Sequence, residues 1–413
     1  MHALLISVFP ARLRLPKRIV CFGHKRATDH VNIVLKTLTA LPGQIATLLL
    51  MLALAACASR PGPNALQAVN TDLQSNRVAT VYLATSRARD SRSGTDFNND
   101  ISESLNFAEY RVSIPPGHKP GQVEVSGGKS NPAKDFVVVS KRSVDRAEFL
   151  RDVAKAAGGD RGNISVFVHG YNTNLAEAIF RQAQITADSG QEDHGAAILF
   201  SWPSVGSYSG YIADSAAATS SRDQLADLLT SVTSIQGKGN VTLIGHSMGG
   251  WLAAESLRQL RLMKRDAVTD RLKVVLAAPD IDTQVFIAQM QVIGRLREPM
   301  TLLVSRDDIA LSVSSFISND NQKIGKLDVS QPEIQAAAKK ANVQVVDISN
   351  VASNDAFKHN RFASLAVYFP AIKKADQKGG DAKLKRAGVY IFDTVGKTLT
   401  APLVLGQHIA QGG

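Results

Sequence analysis

The sequence predicts an α/β fold: a doubly wound, mostly parallel sheet with helices on both faces and a β-rich extension on its N-terminal side. Three observations predict it. Short, continuously apolar runs rich in Val, Ile and Leu recur between residues 164 and 348; helix-length patterns lie between them; and a glycine-rich turn joins one run directly to a helical pattern across residues 241–262. Strands that are apolar on both sides and separated by helices belong in a parallel sheet, because each crossover helix covers a face.

Taken in order, the first strand is read at residues 77–84, followed by a polar loop around 87–99 and strand-like runs at 110–114, 123–125 and 136–139. Pro115, Pro116 and Gly117 punctuate them. From about residue 141 the apolar runs are 164–168, 197–200, 241–244, 272–277, 301–304 and 343–348. Helical patterns occupy 175–187, 222–234, 248–262 and 332–341. Trp202, Tyr208 and Tyr211 fall in a Gly/Ser-rich stretch after a strand end. That stretch reads equally as a pocket rim or lid and as buried aromatic core. The stretch from Val389 onward has no assignment.

Composition narrows the class. The chain has 413 residues, 44% hydrophobic and 20% charged, which suits one large α/β domain with appendages or two to three smaller domains. It excludes a disordered, collagenous or multi-span membrane protein. Cys21 and Cys57 are its two cysteines, too few for a disulfide scaffold or a thiolate zinc cluster, and no metal or cofactor is expected. Of the net charge of +11, residues 1–56 carry +6. The surplus left on the rest is weak support for nucleic-acid binding and suits an anionic surface no less well. Residues 373–386 hold six bases and two acids, read as a solvated linker in preference to a lipid-headgroup patch.

The N-terminus reads as an address. Residues 45–56 are an apolar run of 12, short of the ~20 helical residues that span a bilayer and the length of a signal-peptide core. Leu54-Ala55-Ala56-Cys57 follows and resembles the lipobox of bacterial lipoproteins, which implies lipidation of Cys57. The competing reading is a buried helix that ends in cysteine. On the lipoprotein reading the mature chain begins at Cys57 and has no free thiol. Ala58, where Asp would favour inner-membrane retention, implies an outer-membrane protein facing the periplasm. The 44 residues before the apolar run are long for a signal peptide, so the translation start is expected downstream, near Val31 or Val34. The organisation is then signal peptide 1–56, lipidated tether 57–75, β-rich part 76–140, α/β core 141–370 and basic tail 371–413.

The most informative stretch is Gly245-His246-Ser247-Met248-Gly249, where a buried strand runs through Gly-x-Ser-x-Gly into a helix. This is the nucleophile-elbow pattern. A turn that tight strains its central residue and leaves no room for side chains two positions away, so Gly245 and Gly249 are required. Ser247 is then the candidate nucleophile, with a helix N-terminus behind it to favour negative charge. A serine needs a base, and in folds of this kind nucleophile, acid and histidine follow in that order. Only His359 and His408 come after Ser247; His359, in a loop after the last predicted strand, is the candidate base. Carboxylates end two strands, Asp280 with Asp282 and Asp307 with Asp308. Asp308 leads, because it directly precedes the next element; Asp280 and Asp282 are read as helix caps or supporting groups. The oxyanion donors are expected to be the backbone N–H groups of Met248 and Tyr171, the latter in the strand end Val168-His169-Gly170-Tyr171. His169 is read as a structural partner of that turn.

Together with residues 81–87, 167–172, 200–204 and 305–311, these motifs resemble the α/β-hydrolase superfamily, and within it an uncharacterised bacterial branch of lipoproteins. The resemblance covers roughly residues 76–370. It implies a membrane-tethered serine hydrolase acting on a lipid or small carboxyl ester through an acyl-enzyme on Ser247, without metal or cofactor. An acyltransferase or amidase with the same residues, and a non-catalytic envelope binding or scaffolding lipoprotein, are the alternatives.

Overall fold

The computed structural model describes residues 60–366, apart from 71–76, 92–95, 127–128, 159–162, 191–194, 236–240, 319–321 and 354, together with the backbone of 390–392. The expected signal peptide, Cys57, His408 and nearly all of the basic tail lie outside the described residues.

Ten strands form one sheet: β1 (Arg77–Arg89), β2 (Phe97–Ile114), β3 (Val137–Val144), β4 (Asn163–Val168), β5 (Gly195–Ser201), β6 (Val241–His246), β7 (Leu272–Ala277), β8 (Met300–Val304), β9 (Val343–Asp347) and β10 (Tyr390–Phe392). Their spatial order is β10-β9-β8-β7-β6-β4-β5-β1-β2-β3. From β1 through β5, β4, β6, β7 and β8 to β9 the pairing is parallel; β2 and β3 at one edge and β10 at the other are antiparallel. The expected doubly wound, mostly parallel architecture is the one observed.

The main helices are α1 (Arg146–Ala156), α2 (Leu175–Ser189), α3 (Tyr211–Ser220), α4 (Arg222–Ser234), α5 (Met248–Leu262), α6 (Thr283–Ile293), α7 (Ile309–Ser318) and α8 (Pro332–Ala341). They cover both faces because the strand side chains alternate between two separate cores. Val166 and Val168 of β4 and Leu243 of β6 pack on one side with Leu225, Leu252 and Leu257. Phe167 and Ile244 point to the other, against Ile179, Phe180 and Phe362. Complete burial of such side chains contributes about 1.5–3 kcal/mol each, the main force joining the layers.

Three local expectations are corrected. The polar segment 87–99 is strand at both ends, since β1 reaches Arg89 and β2 starts at Phe97. An antiparallel edge tolerates a solvated face, so its strands need not be apolar, and bulges around Arg87 absorb the irregular register. Residues 123–125 form no strand. The unassigned stretch at Val389 contributes the edge strand β10, paired with β9. Helices α1, α3, α6 and α7 were not legible. α7, with four serines and three β-branched residues in ten, has weak local helix preference and relies on tertiary support.

One feature of the topology positions the site. The chain leaves β4 for its neighbour β5 and then returns across β4 to form β6 on the other side. In open parallel sheets the crevice at the carboxyl ends of such strands is where ligands bind. Here it lies between His169-Gly170 and Ser247.

Candidate active site

β6 ends at His246, and Ser247 turns the chain into α5 with φ 55° and ψ −124°. A non-glycine residue held there stores about 1–3 kcal/mol of strain and must be braced. The braces are visible: Ser247 N–H donates to Ala277 O at 3.0 Å, and its carbonyl accepts from Gly250 N–H at 2.9 Å and Asp280 N–H at 3.1 Å. The glycines are steric necessities. A Cβ on Gly249 would lie 2.3 Å from His169 O and 2.4 Å from Val168 O, and one on Gly245 would lie 2.7 Å from Gly249 O.

The next strand end closes on the serine. A Cβ on Gly170 would sit 2.9 Å from Ser247 Cβ, which places the peptide leading to Tyr171 beside the side chain of Ser247. That turn is pinned at both ends. On one side, His169 Nδ1–H donates to Gly170 O at 3.0 Å, Ser201 Oγ stands 3.1 Å from His169 Nε2, and the ring stacks on Trp202 at 5.0 Å. Burial first, then the nearby Arg87 guanidinium, push His169 down to about 3, so it stays neutral. On the other side, Asn172, also at positive φ, donates its N–H to the fully buried Asp214 at 3.1 Å. Asn174 then caps α2 through a reciprocal box with Glu177.

Arg60 ties the chain entry to this same turn. Its guanidinium makes a two-pronged pair with Glu177, both contacts at 2.6 Å, and donates to Asn172 O at 2.5 Å and Gly206 O at 3.1 Å. Asn174 Nδ2 donates to Pro61 O at 3.0 Å.

His359 stands on the loop after β9, and its Nδ1–H donates to Asp308 Oδ2 at 2.7 Å. Asp308 is fully buried, and its other oxygen accepts Leu311 N–H at 2.9 Å at the start of α7. Asp355 holds the loop by accepting from His359 N–H at 3.1 Å and Asn360 N–H at 2.8 Å. Beneath it lies His246, whose ring packs 4.6 Å from that of His359 and 4.2 Å from Phe362, and whose Nε2–H donates to His359 O at 3.3 Å. Burial depresses the His359 pKa, but the charge and hydrogen bond of Asp308, aided by Asp280 and Asp355, outweigh it and leave the group above the ordinary 6.5. With Nδ1 committed to Asp308, Nε2 is the ring nitrogen left to accept a proton.

Residues 143–374, which include all three of these side chains, match a family described as an alpha/beta hydrolase of unknown function (DUF900). The chain belongs to this family. No match is found among curated proteins. The superfamily expected from the elbow, the strand ends and the sheet is therefore the one to which this alpha/beta hydrolase belongs.

The other carboxylates are engaged elsewhere in the hydrolase. Asp307 faces Arg361, with Nη2 at 2.9 Å, and Lys358 at 2.9 Å; the Arg361 contact foremost holds its pKa well below the carboxylate range. Asp282 caps α6 by accepting from Gln284 N–H at 2.8 Å and Val285 N–H at 3.2 Å. Asp280 is buried in an ion pair with Lys323, Nζ to Oδ1 3.1 Å, with Ser314 Oγ at 2.7 Å and Tyr211 OH at 3.1 Å. No local signal marked Lys323, Ser314 or Asp214, whose partners lie on other elements, whereas His246, Arg87 and Asp280 fall inside the motifs themselves. Of the three aromatics with two readings, Trp202 is core at 0% exposure, Tyr208 is rim at 60%, and Tyr211 is half-buried.

Lys323 offers a stability test. Lys323→Ala leaves the Asp280 carboxylate buried with hydroxyl partners alone, a change that costs about 3 kcal/mol. The urea midpoint is expected to fall at unchanged slope; an unshifted midpoint would show that the pair is solvated.

Proposed function

We propose that this alpha/beta hydrolase is a serine hydrolase of carboxyl esters, held at the cell envelope, on the periplasmic face of the outer membrane, by an acylated Cys57. The observation that carries the catalytic part is the 2.7 Å contact between Asp308 and His359, set against a serine on a strained, glycine-flanked turn. In this reading Ser247 Oγ attacks the acyl carbon while His359 Nε2 takes its proton. The negative oxygen of the tetrahedral intermediate accepts hydrogen bonds from Met248 N–H and Tyr171 N–H. The intermediate collapses, the C–O bond to the alcohol breaks, and His359 returns the proton to the leaving oxygen. Water, deprotonated by His359, then attacks the acyl-enzyme and releases the acid with Ser247 restored. Asp308 keeps the imidazole in the tautomer that leaves Nε2 open and stabilises the imidazolium.

The test is covalent labelling by a fluorophosphonate, followed by a panel of esters, amides and alcohol acceptors. Labelling with ester hydrolysis supports the reading; amide cleavage without ester hydrolysis, or acyl transfer to alcohol in preference to water, replaces it. Folded protein that takes no label rejects it.

The pH dependence has a definite sign. His359 must be neutral to act as base, and its pKa lies above 6.5. Activity is therefore lost as pH falls through that raised value, so the acid limb of kcat/KM is expected above the ordinary histidine range. A limb centred at or below the free-histidine value would count against His359 as the base.

A further inference from the structure

The mouth of the site is bordered by a band of apolar side chains exposed to an unusual degree. Phe316 is 88% exposed and Ile212 is 81% exposed. On α7, Ile309, Val313, Phe316 and Ile317 follow the spacing of a single helix face and all point outward, while Leu311 and Ser314 face inward. α7 has no charged side chain. The band continues on neighbouring elements through contacts at the site itself. Ile309 N–H donates to Phe357 O at 3.0 Å, and the ring of Phe357 meets that of exposed Tyr208 at 6.3 Å. Ile212 follows Tyr211, whose hydroxyl bonds Asp280. The band therefore grows from residues adjacent in sequence to Asp308, His359 and the Asp280 cluster.

Exposed apolar surface this concentrated marks a docking face. The chain entry says what covers it. Arg60 is fastened to Asn172 O and Gly206 O, on the same rim as Tyr208. Cys57 precedes Arg60 by three residues, an extended reach of at most about 11 Å. An acyl chain on Cys57 would hold the bilayer within reach of this rim.

We propose that the apolar band formed by α7, Ile212 and Tyr208 rests in the interfacial layer of the bilayer that holds Cys57. The mouth then faces the lipid, and the ester substrates are lipids that enter sideways from that leaflet. This rests on the lipoprotein reading of Cys57 and on the hydrolase reading of Ser247. Side chains of this kind sink into the headgroup boundary and draw the surface onto the protein, so the tether needs only to hold the face in place. Arg60 acts as the clasp that keeps anchor and mouth together.

The experiment uses the intact protein, purified with its own anchor and reconstituted in phosphatidylethanolamine/phosphatidylglycerol vesicles. Phe316→Cys, Ile212→Cys and Leu262→Cys are labelled singly with an environment-sensitive nitrobenzoxadiazole dye. Leu262 is exposed at the far end of α5, about 22 Å along the helix from the elbow. Vesicles carrying doxyl-labelled lipid are expected to quench the dye at 316 and 212 several-fold more than at 262. Equal quenching, or none, overturns the proposal. Shielding of 316 and 212 from aqueous iodide without quenching by lipid would mean that a protein covers the band, which also overturns it. The parent chain reports on the anchor separately, because an acylated Cys57 leaves no thiol to label once the leader is gone. A parent that takes up dye removes the anchor and this proposal with it, while fluorophosphonate labelling of Ser247 continues to report on the hydrolase reading alone.

Discussion

Ser247→Ala is expected to lower kcat on a carboxyl ester by roughly 10⁵–10⁶-fold and to abolish fluorophosphonate labelling. The size follows from the loss of the covalent route. Without Oγ there is no acyl-enzyme, and what remains is whatever the oxyanion donors and substrate binding do for attack by water, typically a residual 10³–10⁴ over solution. The variant keeps the backbone that braces the turn, since Ser247 is held by its own N–H and C=O contacts to Ala277, Gly250 and Asp280. Circular dichroism and the thermal midpoint should therefore match the parent, which separates lost chemistry from lost fold. A folded Ser247→Ala protein that keeps its hydrolysis rate would place the reaction elsewhere.

Asp308→Asn is expected to lower kcat by roughly 10⁴-fold, about 5.5 kcal/mol, the cost seen when the carboxylate behind a catalytic histidine becomes an amide. Asp308 is fully buried and its Oδ2 receives the His359 Nδ1 proton at 2.7 Å. An amide nitrogen in that place donates to Nδ1 and forces the proton onto Nε2, the wrong tautomer for a base. The same change removes the charge that raises the His359 pKa, so the acid limb of the residual activity moves to lower pH. Asp307→Asn supplies the contrast. Asp307 is paired with Arg361 and Lys358, so its loss should leave the pH profile in place. Interchange of the two results would assign the acid to Asp307.

How much of this was legible in the sequence varies with the range of the interaction. Gly245 and Gly249 could be read as obligatory from the strand, Gly-x-Ser-x-Gly, helix pattern alone, although the collisions that Gly249 avoids are with Val168 and His169, far earlier in the chain. The boundaries of α4, α5 and α8 followed from local periodicity, and the position of Asp308 at the mouth of the next helix ranked it ahead of Asp307 without deciding between them. By contrast α7 is a β-branched, uncharged segment that is helical because Leu311 and Ser314 are drawn into the interior. The adjoining ends of β1 and β2, 87–89 and 97–99, were taken for a loop because their polar face has no pattern that separates them from one. The Asp280–Lys323 pair joins residues 43 positions apart, and Arg60 pairs with Glu177, 117 positions away.

By itself, then, the sequence determined the parallel sheet, the strained serine and the pool of histidines and carboxylates from which its partners come. Those depend on backbone sterics and hydrophobic period, which act within a few residues. Only the tertiary structure decided that Asp308 and not Asp307 meets His359, that His246 lies beneath the loop that carries His359, and that the apolar side chains of α7 are left facing outward. Those outcomes depend on which surfaces desolvate one another when distant segments pack, and no local pattern carries that information.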